Sequence, residues 1–168
     1  PMTPAQVPQR RDGQICDLNH QYKLNGFLCN RDHELPSRAA RFIIANPENR
    51  EYNPLVIHGS VGSGKTHLLN AIGNEVITSW ERQRVTASSG ERFLHNYIYA
   101  LQSGAINQFV NSLISSDVFL IDDIHTLAGK SKSQEMLLFV FSELMKRGSQ
   151  IVVTCNQAPC RLHNFNPV

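Results

Sequence analysis

A surplus of charge is what this sequence most plainly lacks. Its 16 Lys and Arg stand against 14 Asp and Glu, so bulk electrostatics announce no nucleic-acid partner, and any such surface has to be a local patch. It also has no uninterrupted apolar run near the roughly 18 residues that span a membrane. The amino terminus lacks the charged-then-apolar layout of a secretory signal. Both absences point to a cytoplasmic protein. Cysteine is scarce and poorly spaced for metal. Cys16, Cys29, Cys155 and Cys160 include no C-x-x-C pair, which favours free thiols in a reducing compartment over a zinc site. Seven histidines show no H-x-x-x-H spacing, and there is no internal repeat or low-complexity tract. What is left is 168 residues, 41% hydrophobic, enough for one domain with a core and little more.

Against these absences one stretch stands out. Gly59-Ser60-Val61-Gly62-Ser63-Gly64-Lys65-Thr66 reads G-x-x-x-x-G-K-T, the phosphate-binding loop. Leu55-Val56-Ile57-His58 before it suits a buried strand. Leu68, Leu69, Ile72, Val76 and Trp80 after it recur at helical spacing. Glycines let successive N–H groups face one phosphate cluster, and the following helix adds its positive end. Gly59, Gly62, Gly64, Lys65 and Thr66 are therefore expected to bind nucleotide. Lys65 brings a charge to the β- and γ-phosphates, and the Thr66 hydroxyl is a Mg²⁺ ligand.

The remainder alternates strand and helix, which predicts an α/β fold with a parallel sheet between helical layers. Residues 1–20, with Pro1, Pro4 and Pro8, read as a flexible linker. Residues 21–168 read as one nucleotide-binding domain. Pro36 suits an early position in a helix that carries Ala39, Ala40, Phe42, Ile43 and Ile44 and stops before Pro47. Arg84 to Ser88 is a second strand. Two helices follow, one with a stripe of Phe93, Leu94, Tyr97, Ile98 and Leu101, the other with Ala105, Ile106, Phe109, Val110, Leu113 and Ile114; Ser103-Gly104 separates them. Val118-Phe119-Leu120-Ile121 is a strand covered on both faces. Ser131 and Gln134 have capping-box spacing ahead of a helix buried through Leu137, Val140, Phe141, Leu144 and Met145. Ile151-Val152-Val153-Thr154 is the last strand.

Asp122 and Asp123 fall at the carboxyl end of their strand, where open α/β sheets place ligands, and they are expected to meet the lysine-bearing loop across neighbouring strands. Asp122 is expected to hold Mg²⁺ through water. Asp123 suits orienting the attacking water, or else capping the next segment. Asn156 suits a hydrogen bond to the γ-phosphate or that water, or a plain turn. With Lys65, these two form the expected catalytic set.

These residues resemble the nucleotide-binding part of the DnaA family, bacterial replication initiators of the AAA+ ATPase class. The likeness runs from about Tyr22 to Pro159. Tyr22 to Leu28 is similar to the family's aromatic segment along the adenine, with Leu24 in place of a usual aromatic. Tyr52-Asn53-Pro54-Leu55 leads into the loop, followed by His67-Leu68-Leu69. Glu91-Arg92-Phe93 with Ala100-Leu101 and Ala105-Ile106 resembles the paired initiator helices, and Ile121-Asp122-Asp123-Ile124 the Walker B form. The resemblance implies binding of ATP or ADP with Mg²⁺ and a weak ATPase in the whole protein. It adds Tyr22, Phe27, Leu28 and His67 to the nucleotide contacts. It also implies ATP-driven filament assembly on origin DNA and a link to the replicative helicase. Leu94, Lys130 and Lys132 fall at the positions that contact single-stranded DNA; the alternative for both lysines is a solvated loop.

Two departures stand beside it. Thr154-Cys155-Asn156 replaces the family's usual Thr-Ser-Asp, and the likeness ends just past it. A fragment or a shortened relative is expected, an AAA+ core lacking the fifth strand and helical lid, with the loop strand at an open edge. Three other functions fit the same scaffold: a helicase loader or regulatory paralogue, a non-hydrolysing assembly module, and a small-molecule kinase. The paired initiator helices count against the kinase, and transfer of phosphate to a small acceptor would restore it.

Overall fold

An apolar run covered on both faces must find helices on each side, and this chain supplies them in alternation. The computed structural model describes residues 17–26, 31–80 and 83–161. Its four strands are β1 (Leu55–His58), β2 (Val85–Ser89), β3 (Val118–Asp122) and β4 (Gln150–Cys155). All pairings are parallel, in the spatial order β1-β4-β3-β2. The helices are α1 (Arg31–Ala45), α2 (Lys65–Ser79), α3 (Gly90–Gln102), α4 (Ile106–Ile114) and α5 (Ser131–Lys146).

Side chains alternate between the two faces of a strand, and the core divides accordingly. Val118, Leu120, Val85, Ala87 and Val152 pack with Leu68, Leu69, Ile72 and Val76 of α2 and Ala40 of α1. Phe119, Ile121, Ile151 and Val153 pack with Phe93, Tyr97, Phe109, Leu113, Leu137, Val140 and Leu144 of α3, α4 and α5. The result is the expected three-layer αβα arrangement. Each large side chain so buried contributes about 1.5–3 kcal/mol. Among the described residues β1 has a sheet partner on one side only, the open edge anticipated for it.

Several local expectations give way. The strand of the aspartates is not next to the loop strand, because β4 lies between them. Helix α1 starts at Arg31, five residues ahead of Pro36, whose missing N–H removes only the bond back to residue 32. On α3 the buried positions are Phe93, Tyr97 and Ala100, whereas Ile98 and Leu101 are exposed. A single helix can turn only one stripe inward, and the aromatic rings claim it: Phe93, Tyr97 and Phe109 lie with centroids 5.7–6.5 Å apart. Met145 is likewise exposed on α5. The Ser131/Gln134 capping box does not form. Lys130 holds the cap position, and buried Gln134 instead donates to the Leu127 carbonyl. Of the supposed linker, residues 17–20 are docked: Asp17 N–H donates to Ala87 O, and Leu18 is buried.

Candidate nucleotide and magnesium site

The loop after β1 owes its shape to backbone constraints that only some residues meet. Gly62 (φ 81°) and Gly64 (φ 83°) take left-handed conformations, where a side chain is strained. At Gly59 a Cβ would stand 2.9 Å from Ser63 Oγ. Gly59 N–H donates to Cys155 O at 3.3 Å, fastening the loop to β4. Gly64 is the residue before α2 and has no side-chain cap, which leaves the helix N–H groups pointing into the loop, as an anion site requires. Lys65 is buried, its ammonium donating to the Gly59 and Ser60 carbonyls at 3.0 and 2.8 Å. The cation therefore sits inside the loop.

Thr66, in the first turn of α2, reaches the end of β3. Its hydroxyl donates to Asp122 Oδ2 at 2.8 Å. The other carboxylate oxygen, Oδ1, accepts from the Thr154 hydroxyl of β4, which also accepts the Asp123 N–H at 2.8 Å. So loop helix and aspartate strand meet although β4 separates their strands, and β4 supplies the link. Asp123 adopts a left-handed backbone (φ 52°, ψ 54°). Burial, then the negative charge of Asp122, pushes its carboxyl pKa up, against the opposing pull of His125 and Lys65. A raised pKa suits a proton acceptor better than an ordinary carboxylate would. His125 Nδ1 is buried, 3.8 Å from Asp123 Oδ1, without a hydrogen-bond partner among the described residues.

The fit to Mg²⁺ is a question of donor chemistry. Thr66 Oγ1 and the Asp122 carboxylate are hard oxygen donors in direct contact. Among the described residues no group of three or more His, Cys, Asp or Glu could hold a metal ion. Thr66 and Asp122 suit Mg²⁺, which takes one or two protein oxygens and completes its shell with water and substrate phosphates.

Around this centre the predicted contacts divide. His67 stacks on Tyr22 (centroids 4.7 Å apart, planes at 29°), and its Nε2–H donates to Lys23 O. Asn70 and Asn74 of α2 hold the same segment, Asn70 Oδ1 accepting Asn19 N–H and Asn74 Nδ2 donating to Asn19 O and Tyr22 O. Gly73 makes room for it, since a Cβ there would lie 2.8 Å from Leu18. Phe27 and Leu28 lie outside the described residues. Asn156, just past the end of β4, is exposed and forms no hydrogen bond among the described residues. Leu94 leans on the α3–α5 core. Lys130 donates to Thr126 O, and Lys132, 84% exposed, pairs with Glu135 at 3.3 Å. The first turn of α3 abuts this loop, Gly90 leaving space for Thr126 and Asp123. Asn70, Asn74 and His125 carried no motif that sequence reading could use, and Thr154 appears in the Thr154-Cys155-Asn156 run without a role of its own.

A parallel αβα sheet with a glycine loop at one strand end and an acidic pair two strands away defines a P-loop NTPase with AAA+ strand order. The chain belongs to the bacterial DnaA ATPase domain family, which matches residues 18–167. The chromosomal replication initiator protein DnaA of Geobacter metallireducens is 40% identical over 143 residues, 85% of this chain and 32% of that protein. A replication initiator DnaA bound to AMPPCP and single-stranded DNA is 34% identical, with TM-score 0.85 over 89% of this chain and 46% of that one. Domain III of the Thermotoga maritima replication initiation protein DnaA is 35% identical, with TM-score 0.84 over 89% and 62%. The DnaC helicase loader, 19% identical at TM-score 0.71, shares the fold alone. The chain thus spans about a third of the length of the curated relatives it matches.

Proposed function

We propose that this chain is the ATP- and Mg²⁺-binding core of a chromosomal replication initiator that assembles on origin DNA and opens it when ATP is bound. The observation that carries the reading is the Thr66–Asp122 contact at 2.8 Å beside a loop with Lys65 at its centre. In this reading Lys65 meets the β- and γ-phosphates, while Thr66 and Asp122 hold Mg²⁺. The ion, when bound, neutralises charge developing between those phosphates. Asp123 orients the attacking water, giving slow hydrolysis. Tyr22 and His67, with Phe27 and Leu28, flank the base.

The DNA half of the reading draws support from the relative solved with AMPPCP and single-stranded DNA and from the exposure of Lys132, whose ammonium lies at the surface beside Glu135. Lys130 and Lys132 grip phosphates, and Leu94 lines the same path. Assembly into an ATP-dependent filament, and handover to a replicative helicase, belong to the same proposal. Among the described residues no helix is long and apolar enough to cross a membrane. The loader alternative has no specific observation in its favour.

Titration with a fluorescent ATP analogue, then with labelled single strands at several salt concentrations, tests both halves. Lys65→Ala should weaken nucleotide binding on the order of a hundredfold, as expected for losing charged hydrogen bonds. Lys132→Ala should weaken DNA binding and lower the salt slope by about one. Nucleotide uptake unchanged by Lys65→Ala would sink the first half; an unchanged salt slope would sink the DNA path.

A further inference from the structure

We infer that Thr154 is the positioning residue that holds the aspartate pair in the arrangement Mg²⁺ requires. The inference rests on the nucleotide-site reading above. Three facts meet at one hydroxyl. It donates to Asp122 Oδ1, it accepts the Asp123 N–H, and Thr154 is wholly buried in the middle of the sheet. With Thr66 on Oδ2, both oxygens of Asp122 are engaged, one by α2 and one by β4, so the carboxylate cannot rotate without breaking a bond. A carboxylate fixed in this way suits Mg²⁺, which demands near-ideal geometry.

The second bond matters as much. Asp123 holds a left-handed backbone, which a non-glycine residue keeps only when its surroundings impose it. The Asp123 N–H to Thr154 Oγ1 bond is such an imposition: it anchors the chain at the turn that aims the Asp123 side chain. Asn156, by contrast, is exposed and anchors nothing among the described residues. Thr154 touches neither phosphate nor metal in this scheme. It acts through its two neighbours.

The test compares Thr154→Val, which keeps the shape and loses the hydroxyl, with Thr154→Ser, which keeps the hydroxyl. Binding of a fluorescent ATP analogue is measured for each in Mg²⁺ and in EDTA, alongside far-UV circular dichroism. In Thr154→Val the gain in affinity on adding Mg²⁺ should shrink about tenfold or more, the scale of a lost hydrogen bond to a charged group. Affinity in EDTA should stay within roughly threefold, because the loop itself is untouched. Thr154→Ser should restore the Mg²⁺-dependent gain. An undiminished gain in Thr154→Val overturns the inference. So does an equal loss with and without Mg²⁺, and so does failure of the serine variant to restore it in a folded protein. Absence of any nucleotide uptake by the unsubstituted chain would instead remove the nucleotide-site reading itself.

Discussion

The carboxyl end of the sheet and the outer face of the α3–α4 pair are specified in opposite ways. At the sheet end, side chains from α2, β3 and β4 interlock: Thr66, Asp122, Thr154 and the Asp123 backbone form one chain of hydrogen bonds. On the helix pair only the inward stripe is fixed. Outside it Ile98, Tyr99 and Leu101 stand 44%, 66% and 53% exposed, and no Asp, Glu, Lys or Arg occurs between Arg92 and Asp117. A ligand site needs each polar group held to a narrow geometry. A covering helix needs only enough apolar area pointing inward. The two regions share one seam, where Gly90 lets α3 lie against the Asp123 turn.

Substitutions can break or sharpen that contrast. The largest effect belongs to the inner stripe: Tyr97→Ala should cost about 3–5 kcal/mol in urea unfolding, because it opens a cavity against Phe93 and Phe109. A loss under 1 kcal/mol there would mean the helix pair is loosely packed inside as well as out. Next comes the seam. Gly90→Ala places a Cβ 2.5 Å from Thr126 Oγ1 and 2.9 Å from the Asp123 carbonyl. The backbone carbonyl cannot swing away, so about 1–3 kcal/mol of stability should go, together with Mg²⁺-dependent nucleotide binding. A loss of stability with the Mg²⁺ response intact would show that the two regions are independent.

The contrast also extends to thiol chemistry. Cys155 is buried, its thiol donating to the Gln157 carbonyl, and burial pushes its thiol pKa up, whereas Cys160 is exposed. Below the raised pKa the thiol stays protonated, and only the thiolate is nucleophilic. Iodoacetamide at pH 8, read by peptide mass mapping, should label Cys160 at least about a hundredfold faster than Cys155, which waits for local opening. Similar rates would show that the end of β4 is not a rigid wall. The smallest effect is expected on the outer face. Leu101→Ala should change stability by less than about 0.5 kcal/mol, and a larger loss would place an unrecognised contact there.

Legibility in the sequence followed the same division. The phosphate loop, α2 and β3 could be read because their signals are local: glycines where φ is positive, helical spacing in Leu68, Leu69, Ile72 and Val76, an unbroken apolar run in Val118 to Ile121. The misreadings fell where several answers satisfied the local pattern. Five apolar residues on α3 offered more stripe than one helix can bury, and the rings of Phe93 and Tyr97 took it. Ser131 and Gln134 had the spacing of a cap, but Gln134 found a better partner in the buried Leu127 carbonyl. Thr154 stood in view at the head of Thr154-Cys155-Asn156, but as a strand residue with no role of its own. Nothing in its neighbours distinguishes a hydroxyl that fills space from one that bonds two aspartates.

By itself, then, the sequence determined the local chemistry of this protein: a loop able to wrap phosphate, a lysine to meet it, a threonine and an aspartate with the hard oxygens magnesium accepts. Those properties depend on residue type and on spacings of a few positions. Tertiary structure alone decided which of these groups touch. Parallel pairing inserts β4 between the loop strand and the aspartate strand. A residue of that intervening strand, Thr154, thereby becomes the partner both aspartates share, because strand order is set by packing across the whole sheet and not by any short stretch of chain.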